Sequence, residues 1–341
     1  MKSILKSATN GKRVLILGYG REGKSTLKLL RASCPETDLT VADLNSEIIL
    51  QNPELNSTDI KVISGPGYLE HIHHYDLVIK SPGISLHHAG IQFDPSKISS
   101  QTDLFLQAYG SQTVGITGTK GKSTTSSLLY HIFKGYTSNC LLAGNIGIPL
   151  FDLVPHITPE TRIVCELSSH QLEYISRGPH VAILLNLFQE HLDHYASFYH
   201  YQLAKMQIGL KQEKNDAFIF HAADMNIAEL LQANKPQSRL FPLHNTEFSK
   251  NGVGISGSHI ILRYADNERI LLPSEPETRL PGPHNLLNIM AASAAASLMN
   301  IPAQSIAEGV ATFSPLEHRI EFVGVYRNKY YYNDSISTIP E

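Results

Sequence analysis

Short apolar runs alternate with segments of helical periodicity along the first third of the chain. They predict strands at residues 13–17 (RVLIL), 38–43 (DLTVAD) and 76–84 (DLVIKSPGI), with helices at KSTLKLLRAS and over residues 98–110. The strands are too uniformly apolar for a sheet with one face in solvent, so we expect a parallel sheet covered by helices on both faces. A boundary near Gly110 closes this doubly wound, Rossmann-like α/β domain, which we assign to residues 1–109.

The same pattern restarts after Gly110. QTVGITG predicts a strand and STTSSLLYHIFKG a helix, and two more buried strands are expected at residues 161–169 and 180–187. YHYQLAKMQIGL predicts an amphipathic helix, residues 216–273 predict shorter strands with a hairpin at NGVGISGSHIILRY, and residues 286–299 predict an alanine-rich helix. We therefore expect a second α/β domain over residues 110–315.

The last residues begin a further pair of strands, at RIEFVGVYRNKYYYND. Because the sequence stops at Glu341, before other elements could cover these strands, we interpret residues 316–341 as the start of a third α/β domain.

Composition excludes several classes of protein. With 42% hydrophobic and 17% charged residues among 341, the chain can bury sizeable cores and is not disordered. A net charge of -3 provides no basic field for nucleic acid, and no apolar run approaches the ~18 residues of a membrane span. The 3 cysteines are widely spaced and odd in number, so they indicate neither a disulfide framework nor a zinc site. We expect a cytoplasmic monomer that binds neither nucleic acid nor membrane.

The first glycine turn has the spacing of a diphosphate-binding turn. Gly18, Gly20 and Gly23 fit G-x-G-x-x-G between a strand and a helix, and Asp43 follows at the end of the second strand. Glycines let backbone amides approach a diphosphate at a helix N-terminus, and the acidic residue can contact a ribose or a base. NAD, FAD and UDP-sugars carry the same diphosphate, so the pattern leaves the ligand open.

The second glycine turn, GITGTKGKSTT at residues 115–125, is the sharpest signal in the sequence. Its amides can surround phosphates, Lys122 can reach the β- and γ-phosphates, and the Ser123 hydroxyl can bind magnesium. Ile116 stands where a strict G-x-x-x-x-G-K-[ST] motif has its first glycine. The position after a buried strand and before a helix nevertheless predicts a phosphate loop, and with it a P-loop ATPase-like second domain.

Acidic, histidine and lysine side chains follow the next strands of this domain. Glu166 ends one strand, His191 follows another beside Glu190, and Lys205 lies on a helix. A carboxylate and an imidazole at neighbouring strand ends could bind magnesium beside ATP phosphates. Taken alone, Glu166 could equally be a carboxylate at a strand end and His191 a histidine of a surface loop, each without a role in metal binding. The sequence around Lys205 favours a solvent-exposed lysine. Two further clusters of histidines, at residues 71–74 and 87–88, are expected to be exposed to solvent.

The residues alone leave two other functional classes open. A nicotinamide oxidoreductase could be built on the first glycine turn, although it would not account for GITGTKGKS. A non-enzymatic nucleotide-binding regulator could retain both turns.

The motifs taken together resemble the Mur ligase family. SPGI, GNIG, ELSSHQL, NLFQEHLD, LPGPHNLLN, EHRIE and NDSISTIPE occur in the family's order from the first glycine turn to Glu341. SPGI with SSxQL favours the member that adds D-glutamate to UDP-N-acetylmuramoyl-L-alanine, although His170 replaces a more usual aromatic residue. A sibling ligase with another amino acid, such as a folyl-polyglutamate type, is the alternative within the family.

The resemblance implies a role for each matching residue. The first turn becomes a site for the UDP-linked substrate, formed by Gly18, Gly20, Arg21, Glu22, Gly23, Asp43, Ser81, Pro82, Gly83, Asn145, Ser168 and Gln171. The second becomes a site for ATP, formed by Gly118, Thr119, Lys120, Gly121, Lys122, Ser123, Thr124, Asn285, Asn288, Arg319 and Asp334.

The resemblance also implies a metal and a modification. Ser123, Glu166 and His191 would hold Mg²⁺, and Lys205 would carry a carbamate that also faces the metal; Lys122, Glu166, His191 and Lys205 form the implied catalytic set. Three residues depart from the family pattern. Asn45 stands where a relative has a residue that contacts the uracil, Glu190 replaces the usual aspartate, and Ile336 replaces a frequent lysine.

The implied reaction proceeds through an acyl phosphate. The alanine carboxylate would attack the γ-phosphate of ATP, and the amine of D-glutamate would then displace phosphate. In this family the amino acid binds largely in the third domain, so we expect these 341 residues to bind the UDP-linked substrate but to be inefficient in complete ligation.

Overall fold

The computed structural model describes residues 1–86, 90–146, 148–190, 193–248, 250–316, 321–327, 329–333 and 335. Its helices are α1 Lys2–Thr9, α2 Arg21–Ser33, α3 Ile48–Gln51, α4 Gln101–Tyr109, α5 Lys122–Tyr136, α6 Ser169–Leu172, α7 Phe198–Leu210, α8 Met225–Ala233, α9 Pro283–Leu298 and α10 Ala303–Thr312. Its strands are β1 Arg13–Leu17, β2 Asp38–Asp43, β3 Ile60–Ser64, β4 Leu77–Lys80, β5 Ile98–Ser99, β6 Thr113–Thr117, β7 Cys140–Gly144, β8 Arg162–Glu166, β9 Val181–Leu184, β10 Ala217–His221, β11 Arg239–Glu247, β12 Gly252–Ser256, β13 His259–Tyr264, β14 Asn267–Pro273, β15 Glu321–Tyr326 and β16 Lys329–Asn333.

The first sheet is parallel, as the uniformly apolar strands predicted. Its order is β3-β2-β1-β4-β5, so the direction of winding reverses between β1 and β4. Ligands of open α/β sheets bind in the crevice at such a reversal, beyond the carboxyl ends of the strands. The first glycine turn follows β1 and the SPGI turn follows β4, so both turns flank this crevice.

The second sheet has the order β14-β13-β12-β11-β10-β9-β6-β8-β7. It is parallel from β7 to β12, and β12, β13 and β14 form antiparallel hairpins that include the predicted one. Strand β6, which precedes the second glycine turn, lies between β8 and β9. The residues that follow these three strands therefore emerge at the same edge of the sheet.

One of the buried apolar clusters spans both sheets. Leu30 and Phe105 beside the first sheet belong to the same buried cluster as Phe151 and Phe218 beside the second. Hydrogen bonds cross the same boundary, because the Ser25 hydroxyl donates to Asp152 at 2.9 Å. The crevices of the two sheets are therefore held at a fixed spacing.

The structure corrects several predicted elements. Residues 98–110 are not one helix, because Ile98 and Ser99 pair with β4 and the Ser100 side chain caps α4. Strand β4 ends at Lys80, before the SPGI turn. Helix α8 lies where only strands and turns were expected, with Asp224 accepting the amide of Ile227 as its N-cap. The predicted last pair of strands is confirmed as the antiparallel β15 and β16.

The three cysteines are buried and unbridged. Across the described part of the chain, none of the helices combines the length and apolar character that a membrane crossing requires.

Candidate active site

The first glycine turn is closed by contacts that leave no room for a side chain at Gly18 or Gly23. Gly18 has a φ of 88°, and the Ser81 hydroxyl donates to its carbonyl oxygen at 2.9 Å. A Cβ atom on Gly23 would lie 2.1 Å from that same oxygen. The turn therefore requires glycine at position 23, which explains the spacing seen in the sequence.

A cavity of about 520 Å³ opens beside this turn, and Arg21, Lys24, Asp43 and Asn45 help to line it. Asp43 is already engaged, because its carboxylate accepts the amides of Tyr19 at 2.7 Å and Asn45 at 2.9 Å. Two cationic side chains at a helix N-terminus suit a diphosphate. The predicted substrate residues Gly20, Arg21 and Asp43 thus surround one cavity, while Ser81, Pro82 and Gly83 form the adjacent turn.

The second glycine turn has the form of a phosphate loop. Gly118 and Gly121 have φ values of 149° and 81°, and Gly121 is the N-cap of α5. The Lys122 ammonium donates to the carbonyl oxygens of Gly118 at 3.0 Å and Thr119 at 2.9 Å. Lys122 therefore lies across its own loop, where an ammonium can meet bound phosphate. The loop also contains Lys120, which lies 3.8 Å from Glu190, and it leads into Ser123 and Thr124 at the start of α5.

Two residues that the sequence analysis missed hold this loop. The Asn186 side chain exchanges two hydrogen bonds with the Lys120 backbone, at 2.8 and 3.1 Å. The Tyr201 hydroxyl contacts the Thr119 hydroxyl at 2.9 Å, and Thr119 also accepts the amide of Phe188. Asn186 follows β9 and is the first residue of the NLFQEHLD motif, so its position at the end of a buried strand was the available signal. Nothing local distinguished Tyr201.

Two residues of the predicted ATP site, Asn285 and Asn288, lie against the same loop. Asn288 accepts a hydrogen bond from the Thr125 hydroxyl at 3.2 Å and donates to Asn285 at 3.0 Å. A Cβ atom on Gly121 would lie 2.5 Å from the Asn288 side-chain oxygen. Both asparagines are buried at the start of α9. The structure thus brings residues more than 160 positions apart in sequence into direct contact.

Glu166 lies at the end of β8, next to the phosphate-loop strand. Its buried carboxylate accepts hydrogen bonds from the Asn145 side chain at 2.8 Å and the Ser126 hydroxyl at 3.4 Å. Together with the buried Ser123 hydroxyl it supplies the oxygen ligands that Mg²⁺ prefers, and Mg²⁺ needs few protein ligands because it retains water. The donor set therefore fits magnesium. Within the described ranges, no group of three or more His, Cys, Asp or Glu side chains could hold a metal.

Lys205 is buried, which corrects the solvated position that its sequence context favoured. Its Nζ atom donates to the Gly118 oxygen at 2.8 Å, the same atom that Lys122 contacts. Burial lowers the pKa of Lys205 well below its ordinary value, and the neighbouring Lys122 cation lowers it further, while Glu190 and Glu166 oppose this. The site therefore favours the neutral amine, the form that can react with CO₂.

Replacing Lys205 with methionine should raise stability below pH 10, measured by thermal melting in CO₂-depleted buffer. As pH falls below the ordinary lysine pKa, the unfolded chain takes up a proton that the folded chain resists, so wild-type stability declines. Lys205→Met removes that loss, and Lys122 still donates to Gly118. The variant's advantage should grow from pH 10 towards pH 7. Equal or lower melting temperatures at every pH would contradict the assigned environment.

Helix α6 connects the two glycine turns. Ser168 caps it and Gln171 completes a capping box, while the Gln171 amide donates to Glu22 at 2.9 Å. Burial raises the pKa of Glu22, and the contacts with Gln171 and Lys80 oppose that rise. The three predicted substrate residues Glu22, Ser168 and Gln171 thus form one network between the sheets. Glu166 lies two residues before Ser168, so α6 begins next to the carboxylate that accepts a hydrogen bond from Ser126 on α5, the helix that follows the phosphate loop.

His191, Arg319 and Asp334 lie outside the described residues, as do His87, His88 and Ile336. His71, His73 and His74 are exposed, as predicted. Asn45 lines the first cavity, at the position where the family pattern has another residue.

The geometry provides two separate glycine turns, one at each sheet, with a buried polar helix between them. The first has cations and backbone amides beside an open cavity, and the second has an ammonium, a hydroxyl and a buried carboxylate. Such an arrangement can hold one phosphorylated ligand at each turn and bring them together near α6.

Sequence comparison identifies known relatives of this chain. Residues 116–296 match the Mur ligase middle domain. A UDP-N-acetylmuramoylalanine–D-glutamate ligase from Ligilactobacillus salivarius is 33% identical over 335 residues, which cover 96% of this chain and 71% of that protein. The ligase of the same name from Desulfitobacterium hafniense is 34% identical, over 97% of this chain and 73% of that protein.

Solved structures share the fold at lower sequence identity. MurF from Acinetobacter baumannii aligns over 98% of this chain and 72% of its own, with a TM-score of 0.56 and 16% identity. The UDP-N-acetylmuramate:L-alanyl-γ-D-glutamyl-meso-diaminopimelate ligase from Neisseria meningitides aligns over 90% of this chain and 99% of its own, with a TM-score of 0.53 and 15% identity. These likenesses concern the fold alone.

Proposed function

Because the chain belongs to the Mur ligase family of ATP-dependent, amide-bond-forming ligases, we propose that it adds D-glutamate to UDP-N-acetylmuramoyl-L-alanine in peptidoglycan precursor synthesis. Relatives named for the D-glutamate reaction match almost the whole chain. The observation that carries the proposal is the pair of glycine turns, each between a buried strand and a helix and with α6 between them, because a ligase of this type must hold a UDP-linked acid and ATP at once. A nicotinamide oxidoreductase would have no use for the second turn.

The chemistry requires the carboxylate to be activated. An anionic carboxylate resists attack by an amine, so one of its oxygens first attacks the γ-phosphorus of ATP, forming an acyl phosphate as ADP leaves. The uncharged amine of D-glutamate then attacks the acyl carbon, phosphate leaves, and the nitrogen loses a proton as the amide forms. The protein mainly aligns the reactants and compensates charge at the phosphoryl group.

The residues at the second turn are assigned to that task. Lys122 lies where it can exchange its two carbonyl contacts for phosphate oxygens, and the loop amides are available to the same phosphates. Ser123 and Glu166 would hold Mg²⁺, with His191 as the further ligand that the family resemblance implies. Bound there, Mg²⁺ would neutralise charge on the phosphate oxygens. Asn285 and Asn288 are assigned to adenine, and Arg319 and Asp334 to the nucleotide.

The residues at the first turn are assigned to the UDP-linked substrate. Gly18, Gly20 and Gly23 allow the diphosphate to approach the backbone, and Arg21 adds a cation beside the cavity. Ser81, Pro82 and Gly83 form the opposite side of the crevice, and Asn145, Ser168 and Gln171 continue from it towards the phosphate loop. Substrates of this kind and ATP are cytoplasmic, so we assign the reaction to the cytoplasm.

Lys205 is assigned a carbamate. Its burial and the neighbouring Lys122 cation support a neutral amine, and addition of CO₂ with loss of a proton gives an anion beside the loop that carries the Lys122 cation. A carbamate resonance in protein equilibrated with ¹³C-bicarbonate, absent from Lys205→Met, is the expected NMR result. Identical spectra for the two proteins would exclude the modification.

Trapping the acyl phosphate with hydroxylamine tests the function. ADP and an alanyl hydroxamate should form from ATP, Mg²⁺ and UDP-N-acetylmuramoyl-L-alanine. The matched control is UDP-N-acetylmuramate, which lacks the alanine, and the corresponding UDP-linked dipeptide serves as a second control. Faster turnover with either control substrate would assign the chain to a Mur ligase that acts at another step. ADP release that does not depend on any sugar nucleotide would contradict the proposal.

A further inference from the structure

Lys80 is a buried cation at the edge of the first crevice that no predicted role includes. It ends β4, and its side chain is 2% exposed. Its ammonium donates to the Ile84 oxygen at 2.6 Å and lies 3.4 Å from the Ser81 oxygen. Lys80 therefore closes the SPGI turn from below, by holding the first and last carbonyl groups of that turn together.

The partner of Lys80 comes from the other sheet. Glu173 directly follows α6, and its carboxylate lies 3.4 Å from the Lys80 ammonium, with its side chain only 10% exposed. His194 lies 3.7 Å from the same carboxylate, and the Tyr174 ring centroid lies 5.6 Å from the ammonium. Burial lowers the pKa of Lys80 while Glu173 and Glu22 oppose that change. The pair therefore crosses the boundary between the two sheets in a dry environment.

Helix α6 is held at two points by this arrangement. Gln171 ties it to Glu22 in the first glycine turn, and Glu173 ties it to Lys80 below the SPGI turn. These two turns are the opposite sides of the crevice at the winding reversal of the first sheet. One hydrogen bond and one buried ion pair thus connect α6 and the residue after it to the two turns, in addition to the apolar packing between the sheets.

Stability alone does not account for such a pair. The free energy lost when two charges are removed from water offsets much of the free energy gained from their attraction. Apolar side chains of similar volume often stabilise the folded state as well or better. We propose that Lys80 and Glu173 are positioning residues for the UDP-linked substrate, which hold the SPGI turn and α6 at the separation that substrate requires. This inference rests on the proposed function, since it concerns the residues that position the substrate site of that function.

The test is calorimetric binding of UDP-N-acetylmuramoyl-L-alanine and, separately, of MgATP to the whole chain. Lys80→Met should weaken binding of the UDP-linked substrate by about tenfold or more, because members of one ion-pair network couple by roughly 2- to 100-fold. MgATP affinity should be unchanged, since the contacts of Lys80 within the described residues are with Ser81, Ile84, Glu173 and Tyr174, which lie outside the phosphate loop. The matched control is Lys61→Met, which breaks the exposed pair with Asp38 in the same sheet and should alter neither affinity.

A double variant separates positioning from stability. Lys80→Met leaves Glu173 with a buried charge, so Lys80→Met/Glu173→Gln should regain melting temperature but bind the UDP-linked substrate as weakly as the single variant. If Lys80→Met does not fold, the double variant alone is compared with wild type. Wild-type affinity in either variant would overturn the positioning role and leave the proposed function standing. Failure of the wild-type protein to bind the UDP-linked substrate would overturn both.

Discussion

Replacing Lys122 with alanine should lower the rate of ATP turnover by about 10²–10³, equivalent to ~2.7–4 kcal/mol of transition-state stabilisation. The side chain lies across the phosphate loop, with its ammonium on the Gly118 and Thr119 oxygens. An ammonium placed beforehand at the point where phosphate charge develops needs no reorganisation during the reaction, and alanine removes it entirely. The measurement is UDP-N-acetylmuramoyl-L-alanine-dependent ADP formation under saturating substrates.

Lys134→Ala is the matched control for this variant. Lys134 lies in the last turn of the same helix, α5, and is exposed. It should leave turnover unchanged, and both variants should fold, because Lys205 still donates to the Gly118 oxygen when Lys122 is absent. Normal ATP turnover in Lys122→Ala would refute the phosphate-loop assignment.

Replacing Gly23 with alanine should abolish measurable binding of the UDP-linked substrate and lower the free energy of unfolding by about 1–3 kcal/mol, the usual cost of overpacking. The added Cβ atom would lie 2.1 Å from the Gly18 oxygen and 3.0 Å from its carbonyl carbon. Both are backbone atoms and cannot move aside as a flexible side chain does. The glycine turn must therefore open, and the amides that face the diphosphate lose their arrangement. Calorimetric binding and thermal melting measure the two effects.

Gly20→Ala distinguishes a distorted turn from a blocked ligand. No atom lies within 4 Å of a Cβ at position 20, and the backbone there has a φ of -75°. This variant should match wild type in stability. A loss of affinity for the UDP-linked substrate would then indicate that the diphosphate lies close to position 20. MgATP binding should persist in both glycine variants. Wild-type affinity for the UDP-linked substrate in Gly23→Ala would be incompatible with a diphosphate on this turn.

The features that sequence alone predicted are local ones. Gly18, Gly23 and Gly121 could be recognised because each turn's geometry is set by residues a few positions apart, between a buried strand and a helix. The parallel sheets followed from the uniformly apolar strands. The adenine-site asparagines and the acid–lysine set were assigned through the family resemblance, and the structure adds that Asn288 contacts the loop helix.

What sequence alone missed depends on contacts between distant segments. Asn186 and Tyr201 support the phosphate loop from 66 and 82 positions away. Lys205 looked like a solvated residue because its burial comes from packing against the loop, which no local pattern records. Lys80 and Glu173 carry opposite charges 93 positions apart, and only the meeting of the two sheets makes them partners.

Sequential titration of the wild-type protein with UDP-N-acetylmuramoyl-L-alanine and then MgATP tests most directly whether two separate sites exist. We expect one equivalent of each ligand to bind, with neither displacing the other. Gly23→Ala should lose only the first ligand and Lys122→Ala should weaken only the second. Competition between the ligands, or loss of both from either variant that remains folded, would contradict two nucleotide sites joined through α6.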